Sequence, residues 1–413
     1  MSKANVGLYV HVPFCAIKCF YCDFAAFSGQ KSSVGRYLHA LDRESSFYPG
    51  VKPSTVYIGG GTPSELSAGE LAQFFAMLAM RYGPLSKVQE STFEANPESL
   101  DVEKVEVLRR AGVGRVSLGL QTAEDRLLKE VGRKHTWEDF LRVYKLTRAN
   151  GFSINVDLML GLPGQSHAQA LRSLRLVLGL APDHLSLYYL QVEDRTLFAR
   201  REVVEDDALS RRMFDSSIKL LAGAGYRHYE ISNFALPGKE SLHNLNYWKN
   251  GSYLGLGCGA AGYLGGVRYQ NEDRLQNYMA RVERGESPTV SHERLKGKEK
   301  TGEDLMLGLR LLSGVSLTQR MRSQFEVEFE ALRRKGLVAL SRNPRSGVPA
   351  RAKLTAEGVF FANEVFREFV PPFSPYRRAL RPMSAPPPVD PAPELAPAPL
   401  ATEGPLPAAA GTA

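Results

Sequence analysis

The residues best suited to chemistry lie at the front of the chain, in Gly7-Leu-Tyr-Val-His-Val-Pro-Phe-Cys-Ala-Ile-Lys-Cys-Phe-Tyr-Cys-Asp-Phe24. Three residues separate Cys15 from Cys19 and two separate Cys19 from Cys22, and these are three of only four cysteines in 413 residues. Thiolates are soft ligands that suit iron–sulfur clusters or zinc. Three of them form an incomplete tetrahedral set, which leaves a coordination position open to an exchangeable ligand. A disulfide framework does not suit a chain this long with so few cysteines. A zinc knuckle needs a fourth ligand, and only His11 and Asp23 stand close in sequence.

Other unusual polar residues recur at the ends of apolar runs. Gly59-Gly60-Gly61-Thr62-Pro63 follows Thr55-Val-Tyr-Ile58, and a bare glycine backbone lets a ligand come close. Glu94 is followed by Asn96-Pro97, Gln121 by Thr122, and Arg133 sits in Val-Gly-Arg-Lys-His. Asp157 interrupts the apolar Asn-Val-Asp-Leu-Met-Leu-Gly-Leu-Pro-Gly, where burying a charge is costly without a partner. Each of these fits a structural role by itself; five of them at successive strand ends beside a cysteine loop point to one site.

The elements that position them alternate regularly. Tyr9 to Val12 reads as a first buried strand that Pro13 ends. Strands over 55–58, 92–95, 115–120, 153–160 and 185–190 each precede an amphipathic helix, and Ser64 is a candidate N-cap for the second helix. Strands rich in Val, Ile and Leu alternating with helices imply a parallel sheet with crossovers. The expected fold is α/β: a partial (β/α)6 TIM-like barrel over residues 1–225, with functional residues at the C-terminal strand ends. A connecting region, 226–298, begins with an edge strand over Tyr226 to Asn233. It continues with His243-Asn-Leu-Asn-Tyr-Trp248 in a loop and a glycine-dense run from Tyr253 to Gly262. A histidine beside Asn244, Tyr247 and Trp248 suits a flat aromatic ligand, or else serves packing alone. Residues 299–370 read as helices followed by two short strands and a helix, a small winged-helix-like α+β domain. In the tail, 371–413, 13 of the 25 prolines fall among alanines, and a disordered segment is expected.

A hydrophobic content of 43% is that of a globular protein with a sizeable core. No apolar run reaches the length of a membrane span, and the first residues lack a signal-peptide pattern. The net charge of +8 is scattered, without a long basic run, so no nucleic-acid partner is expected, while peripheral contact with a membrane surface stays compatible with it. Free thiolates call for a reducing, cytoplasmic setting.

The C-x3-C-x2-C spacing, with Tyr21 before its last cysteine, resembles the radical SAM superfamily. Tyr-Val-His-Val-Pro-Phe-Cys, Gly-Gly-Gly-Thr-Pro, Glu-Ala-Asn-Pro, Gly-Leu-Gln-Thr, Gly-Arg-Lys-His and Asp-Leu-Met-Leu-Gly-Leu-Pro-Gly narrow the likeness. They resemble the branch that contains oxygen-independent coproporphyrinogen III oxidase and a related family of haem chaperones. The resemblance implies that Cys15, Cys19 and Cys22 hold a 4Fe–4S cluster whose fourth iron is chelated by S-adenosylmethionine. It also implies that Tyr9, Tyr21, Gly60, Gly61, Thr62, Glu94, Gln121, Arg133 and Asp157 surround that cofactor.

Three features lean toward the chaperones. Phe24 stands where the oxidase has a further cysteine, Tyr9 comes almost at the start of the chain, and His-Asn-x-x-Tyr-Trp is intact at His243 to Trp248. Cys258 departs from the family's usual proline. The expected function is therefore a haem chaperone that passes haem to acceptor proteins, with His243, Asn244, Tyr247 and Trp248 as the haem contacts. The resemblance leaves room for a homodimer. The rival readings are a porphyrinogen-decarboxylating radical enzyme and a radical enzyme acting on another substrate.

Overall fold

The structure, a computed structural model, describes residues 6–342 and 347–371. The expected tail lies outside them, Pro371 excepted.

Six strands alternate with helices, as the β/α rhythm requires. They are β1 (Gly7–Val12), β2 (Thr55–Gly60), β3 (Glu90–Ala95), β4 (Arg115–Gln121), β5 (Ser153–Leu160) and β6 (His184–Tyr189). Between and after them run α1 (Val34–Ser45), α2 (Ala68–Tyr82), α3 (Val102–Ala111), the short α4 (Asp125–Glu130), α5 (Trp137–Ala149), α6 (His167–Leu178), α7 (Leu197–Arg200) and α8 (Asp207–Gly223). Each of the six is parallel to the next in this series. Leu8, Val10, Val56, Ile58, Phe93, Val116, Leu118 and Val156 are fully buried toward the helix layer. The alternate positions (Tyr9, Tyr57, Glu94, Ser117, Asp157 and Ser186) project to the opposite face, because side chains alternate along a strand. The core thus sits between sheet and helices, and the concave face is polar.

Several boundaries differ from the sequence reading. The second helix is capped by Ser67 in a reciprocal capping box with Glu70; Ser64 instead lies in a 3-10 turn and bonds Ser99. The single edge strand expected over Tyr226 to Asn233 is a hairpin of β7 (Arg227–Glu230) and β8 (Asn233–Ala235), whose β8 pairs antiparallel with β6. The loop expected at His243 to Trp248 is a helix, α9 (Leu242–Trp248), whose N-cap Ser241 accepts from the Asn244 N–H. The glycine-dense run contains β9 (Tyr253–Leu256), a seventh parallel strand that pairs with β1. After it β10 (Ala261–Leu264), β11 (Val267–Asn271) and β12 (Thr289–Glu293) extend the sheet antiparallel, with α10 (Leu275–Glu283) between the last two. The sheet order is β12-β11-β10-β9-β1-β2-β3-β4-β5-β6-β8-β7.

The last part holds α11 (Gly297–Gly308), β13 (Val315–Ser316), α12 (Gln319–Arg334), β14 (Val338–Arg342), β15 (Pro349–Leu354), α13 (Ala356–Phe360) and α14 (Ala362–Arg367). α12 is kinked at Phe325, and the three strands form a small antiparallel sheet with β15 at its centre.

One buried acid ties the first helix to the added strands. Glu44 of α1 is fully buried and accepts from the Gly257 N–H (2.8 Å), the Asn271 amide (2.6 Å) and the Tyr278 hydroxyl (2.6 Å). Desolvation outweighs these bonds and pushes its carboxyl from 4.5 up to about 7. The folded state therefore holds a proton that the unfolded chain releases, so this group's contribution is complete below pH 4.5 and is lost as pH rises to about 7. At about 1.4 kcal/mol per unit, unfolding free energy should fall by roughly 3 kcal/mol across that window. Denaturant titrations between pH 4.5 and 8 check this, and Glu44→Gln should flatten the profile.

Candidate functional site

The cysteine loop leaves β1 at Pro13 and is closed at its base by short pairing of Phe14–Cys15 with Phe27–Ser28. Cys22 N–H donates to the Cys19 carbonyl at 3.1 Å, closing a tight turn between these two cysteines. Backbone bonds from Phe20 to Val131 and from Phe198 to Phe20 fasten the loop to the end of α4 and to α7. A chain of side chains links two of the cysteines. The Cys15 thiol lies 3.3 Å from the Thr62 hydroxyl, Thr62 accepts from Asn96, Asn96 accepts from Arg133 (2.9 Å), and Arg133 donates to the Cys19 sulfur at 3.6 Å. Arg133 also donates to the Gly119 carbonyl. A Cβ at Gly119 would stand 2.8 Å from that guanidinium, so a side chain there would displace Arg133.

The donor set fits an iron–sulfur cluster. Burial pushes the Cys15 thiol up to about 11, a shift that binding a cation to the thiolate opposes, and the Arg133 guanidinium already offers positive charge to Cys19. His11 is not a spare fourth ligand: its Nε2 bonds the Ala25 carbonyl and its Nδ1 the Tyr9 hydroxyl, both at 2.9 Å. Among the described residues no group of three His, Cys, Asp or Glu is placed to share one metal ion. A cubane instead spreads its three thiolates over three irons.

Glu94 and Asp157 face the lumen beyond the loop. Glu94 accepts from the Tyr57 hydroxyl (2.6 Å) and the Gly60 N–H (3.2 Å). Asp157 accepts from Asn155 (2.8 Å) and Ser117 (3.2 Å). Burial pushes Glu94 up to about 7 and Asp157 upward, and Asp157 adds to the shift of Glu94. Two desolvated carboxylates in one cavity suit a cationic ligand, whose charge would restore both to the ionised form. Gly60, at φ +115°, has no room for a side chain, since a Cβ would lie 2.5 Å from the His11 ring. Gln121 holds a left-handed φ of 71° at a register shift between β4 and β5. Tyr21 packs on the apolar cluster around Phe198.

The structure divides the four expected haem contacts. His243 is fully buried beneath the sheet, its Nδ1 bonded to the Thr55 hydroxyl and its Nε2 to the Tyr247 hydroxyl, each at 2.8 Å. Both ring nitrogens of His243 are therefore engaged, and the ring lies against Tyr57. Asn244 borders the small cavity that Glu94 and Asp157 line. Tyr247 and Trp248 line a different one, a mostly aromatic space of about 340 Å³ shared with Tyr9, Tyr253, Ala261, Arg268 and Leu307. Tyr9 thus stands on the wall of the aromatic cavity, its ring stacked on Tyr57, and Glu94 is near enough to help burial push its hydroxyl upward.

Sequence reasoning missed what holds α9 in place. Glu90, at the start of β3, accepts from the Ser241 hydroxyl (3.1 Å) and from the Leu242 and His243 N–H groups (2.9 and 3.0 Å). Arg115 pairs with Glu90 at 3.3 Å and donates to the Lys239 carbonyl. Both are polar residues on an inward-facing strand position, which was the available signal.

Comparison with known proteins gives this geometry a family. Residues 9–177 match the model of the radical SAM superfamily. The chain is 36% identical over 384 residues to the heme chaperone HemW of Lactococcus lactis subsp. lactis (strain IL1403), which covers 90% of this chain and 98% of that protein. The chain belongs to the HemW family. The HemW of Bacillus subtilis (strain 168) is 37% identical over 382 residues, covering 88% of this chain and 98% of its own length. The HemW of Escherichia coli (strain K12) is 42% identical over 265 residues, covering 62% and 70%. Among solved structures, the coproporphyrinogen III oxidase HemN of Escherichia coli, a radical SAM enzyme, superposes with a TM-score of 0.76 over 89% of this chain and 90% of that one. At 22% identity that likeness concerns the fold alone. The barrel and its added strands are thus shared architecture, and the features that set the HemW family apart must be sought in particular residues such as those of α9.

Proposed function

We propose that this protein is a haem chaperone, which takes up haem beside α9 and passes it to acceptor proteins. The observation that carries the reading is the match to heme chaperones along nearly their whole length, in a chain whose Tyr247 and Trp248 open onto an aromatic cavity. A cavity of about 340 Å³ falls within the range of small-ligand sites, and its aromatic walls suit the flat face of a porphyrin ring.

Cys15, Cys19 and Cys22 would hold a 4Fe–4S cluster, which supplies an open iron for S-adenosylmethionine. Arg133 would offset the charge of the Cys19 thiolate, while Thr62 and Asn96 fix the position of Arg133. Glu94 and Asp157 would face the sulfonium or amino group, and the Gly59-Gly60-Gly61 backbone would run along the cofactor's edge. No step here needs the cofactor to be cleaved, so its role would be structural or regulatory, including control of dimerisation or release. Thiolates that must stay reduced to hold a cluster suit a cytoplasmic setting. Among the described residues no helix is long and apolar enough to cross a membrane, which suits a contact confined to the membrane surface.

The cofactor assignment has its own test. Glu94→Ala and Asp157→Ala should keep the iron content near wild type yet weaken the spectral response to S-adenosylmethionine about tenfold or more, since each removes a charged partner. Anaerobic absorbance and paramagnetic resonance titrations measure both quantities. A wild-type response in both variants would move the cofactor away from these strand ends.

A further inference from the structure

A second feature of the α9 region concerns polar atoms left without partners. Arg310, just past α11, lays its guanidinium 4.1 Å from the centre of the Trp248 ring. Its Nε is buried and has no hydrogen-bond partner, and the Nε1 of Trp248 is likewise buried and unpartnered. Arg268, the arginine on the wall of the aromatic cavity, is occupied: it pairs with Glu303 and donates to Asn250. Two buried N–H groups without an acceptor are costly, and in native proteins such donors generally find a partner.

Trp248 is also a wall of the aromatic cavity, together with Leu307, which lies three residues before Arg310. We infer that Arg310 and the Trp248 indole N–H form a carboxylate site at the edge of that cavity, and that it receives an acid side arm of a tetrapyrrole whose ring lies against Tyr247 and Trp248. A carboxylate has two oxygens and can accept from both donors at once, and a guanidinium gains most from an ionised acceptor. The neighbouring Glu230 is fully buried with an unpartnered Oε2; burial pushes its carboxyl upward, while the Arg310 guanidinium acts in the opposite direction.

This inference rests on the haem-chaperone reading, and one pair of ligands separates the two. Cluster-loaded full-length protein is titrated with haem and with haem dimethyl ester, in which both acid arms are blocked, following Soret absorbance and tryptophan quenching. The wild type should bind the diacid about tenfold or more tightly than the ester, as loss of a charged hydrogen bond requires. Arg310→Met keeps the packing on Trp248 and should bind both ligands like the wild type binds the ester; Arg310→Gln serves the same purpose should the Met variant misfold. Equal affinity of the wild type for acid and ester, or a preference that survives in a folded Arg310 variant, overturns the carboxylate site while leaving the chaperone reading intact. A wild type that binds neither ligand overturns the chaperone reading and this site with it.

Discussion

Replacing Cys15, Cys19 or Cys22 by Ala is expected to abolish the iron–sulfur cluster, and with it the response to S-adenosylmethionine. Three thiolates are the whole protein share of the proposed ligand set, because His11 is engaged on both ring nitrogens. No neighbour can therefore substitute. The protein should still fold, since all three side chains sit on a loop outside the core and are only half buried. Cys258→Ala is the control. That residue is fully buried after β9, where its N–H donates to Tyr37, and a packing role explains it. Iron content and absorbance after anaerobic reconstitution should be near zero for each loop variant and near wild type for Cys258→Ala. Iron lost from Cys258→Ala with the loop cysteines intact would contradict the ligand assignment.

Glu90→Ala should have the largest effect on stability. The carboxylate is 9% exposed, accepts three hydrogen bonds from the N-terminus of α9, and neutralises Arg115, itself 8% exposed. Removing one member of a buried pair strands the other, at a cost of about 3–5 kcal/mol. Because the same carboxylate positions α9, haem binding should fall together with stability. Glu90→Gln keeps the shape and should lose less. Chemical denaturation and haem titration of both variants check the order. An Ala variant as stable as the wild type would mean that α9 is held by its other contacts alone. The same logic changes what His243→Ala can report. It would leave the hydroxyls of Thr55 and Tyr247 unpaired, so weaker haem binding in that variant would not identify a lost iron ligand.

The parallel strands were legible because Val, Ile and Leu recur in short runs at β/α spacing, and the polar residues that end those runs mark the concave face. β9 was not, because Tyr253-Leu-Gly-Leu reads as a glycine-rich loop. Gly255 is required where β9 meets β10: a Cβ there would overlap the Ala261 carbonyl. Its pairing with β1 is a contact between residues nearly 250 apart in sequence, invisible to local pattern. α9 escaped for a related reason. It has seven residues, about two turns and too short a window for a hydrophobic periodicity to stand out, and it is fixed by Glu90 from 151 residues away. For His243 the imidazole chemistry was legible, but its burial and its two hydrogen bonds came only with the fold.

The most direct test of the chaperone reading sets haem binding against porphyrinogen chemistry in one preparation. Anaerobically reconstituted protein with S-adenosylmethionine and a reductant is offered haem and, separately, coproporphyrinogen III. The expected result is haem bound at micromolar protein, transfer of that haem to an apo acceptor protein, and no decarboxylation. Robust decarboxylation of coproporphyrinogen III, with no haem bound at that concentration, would contradict it.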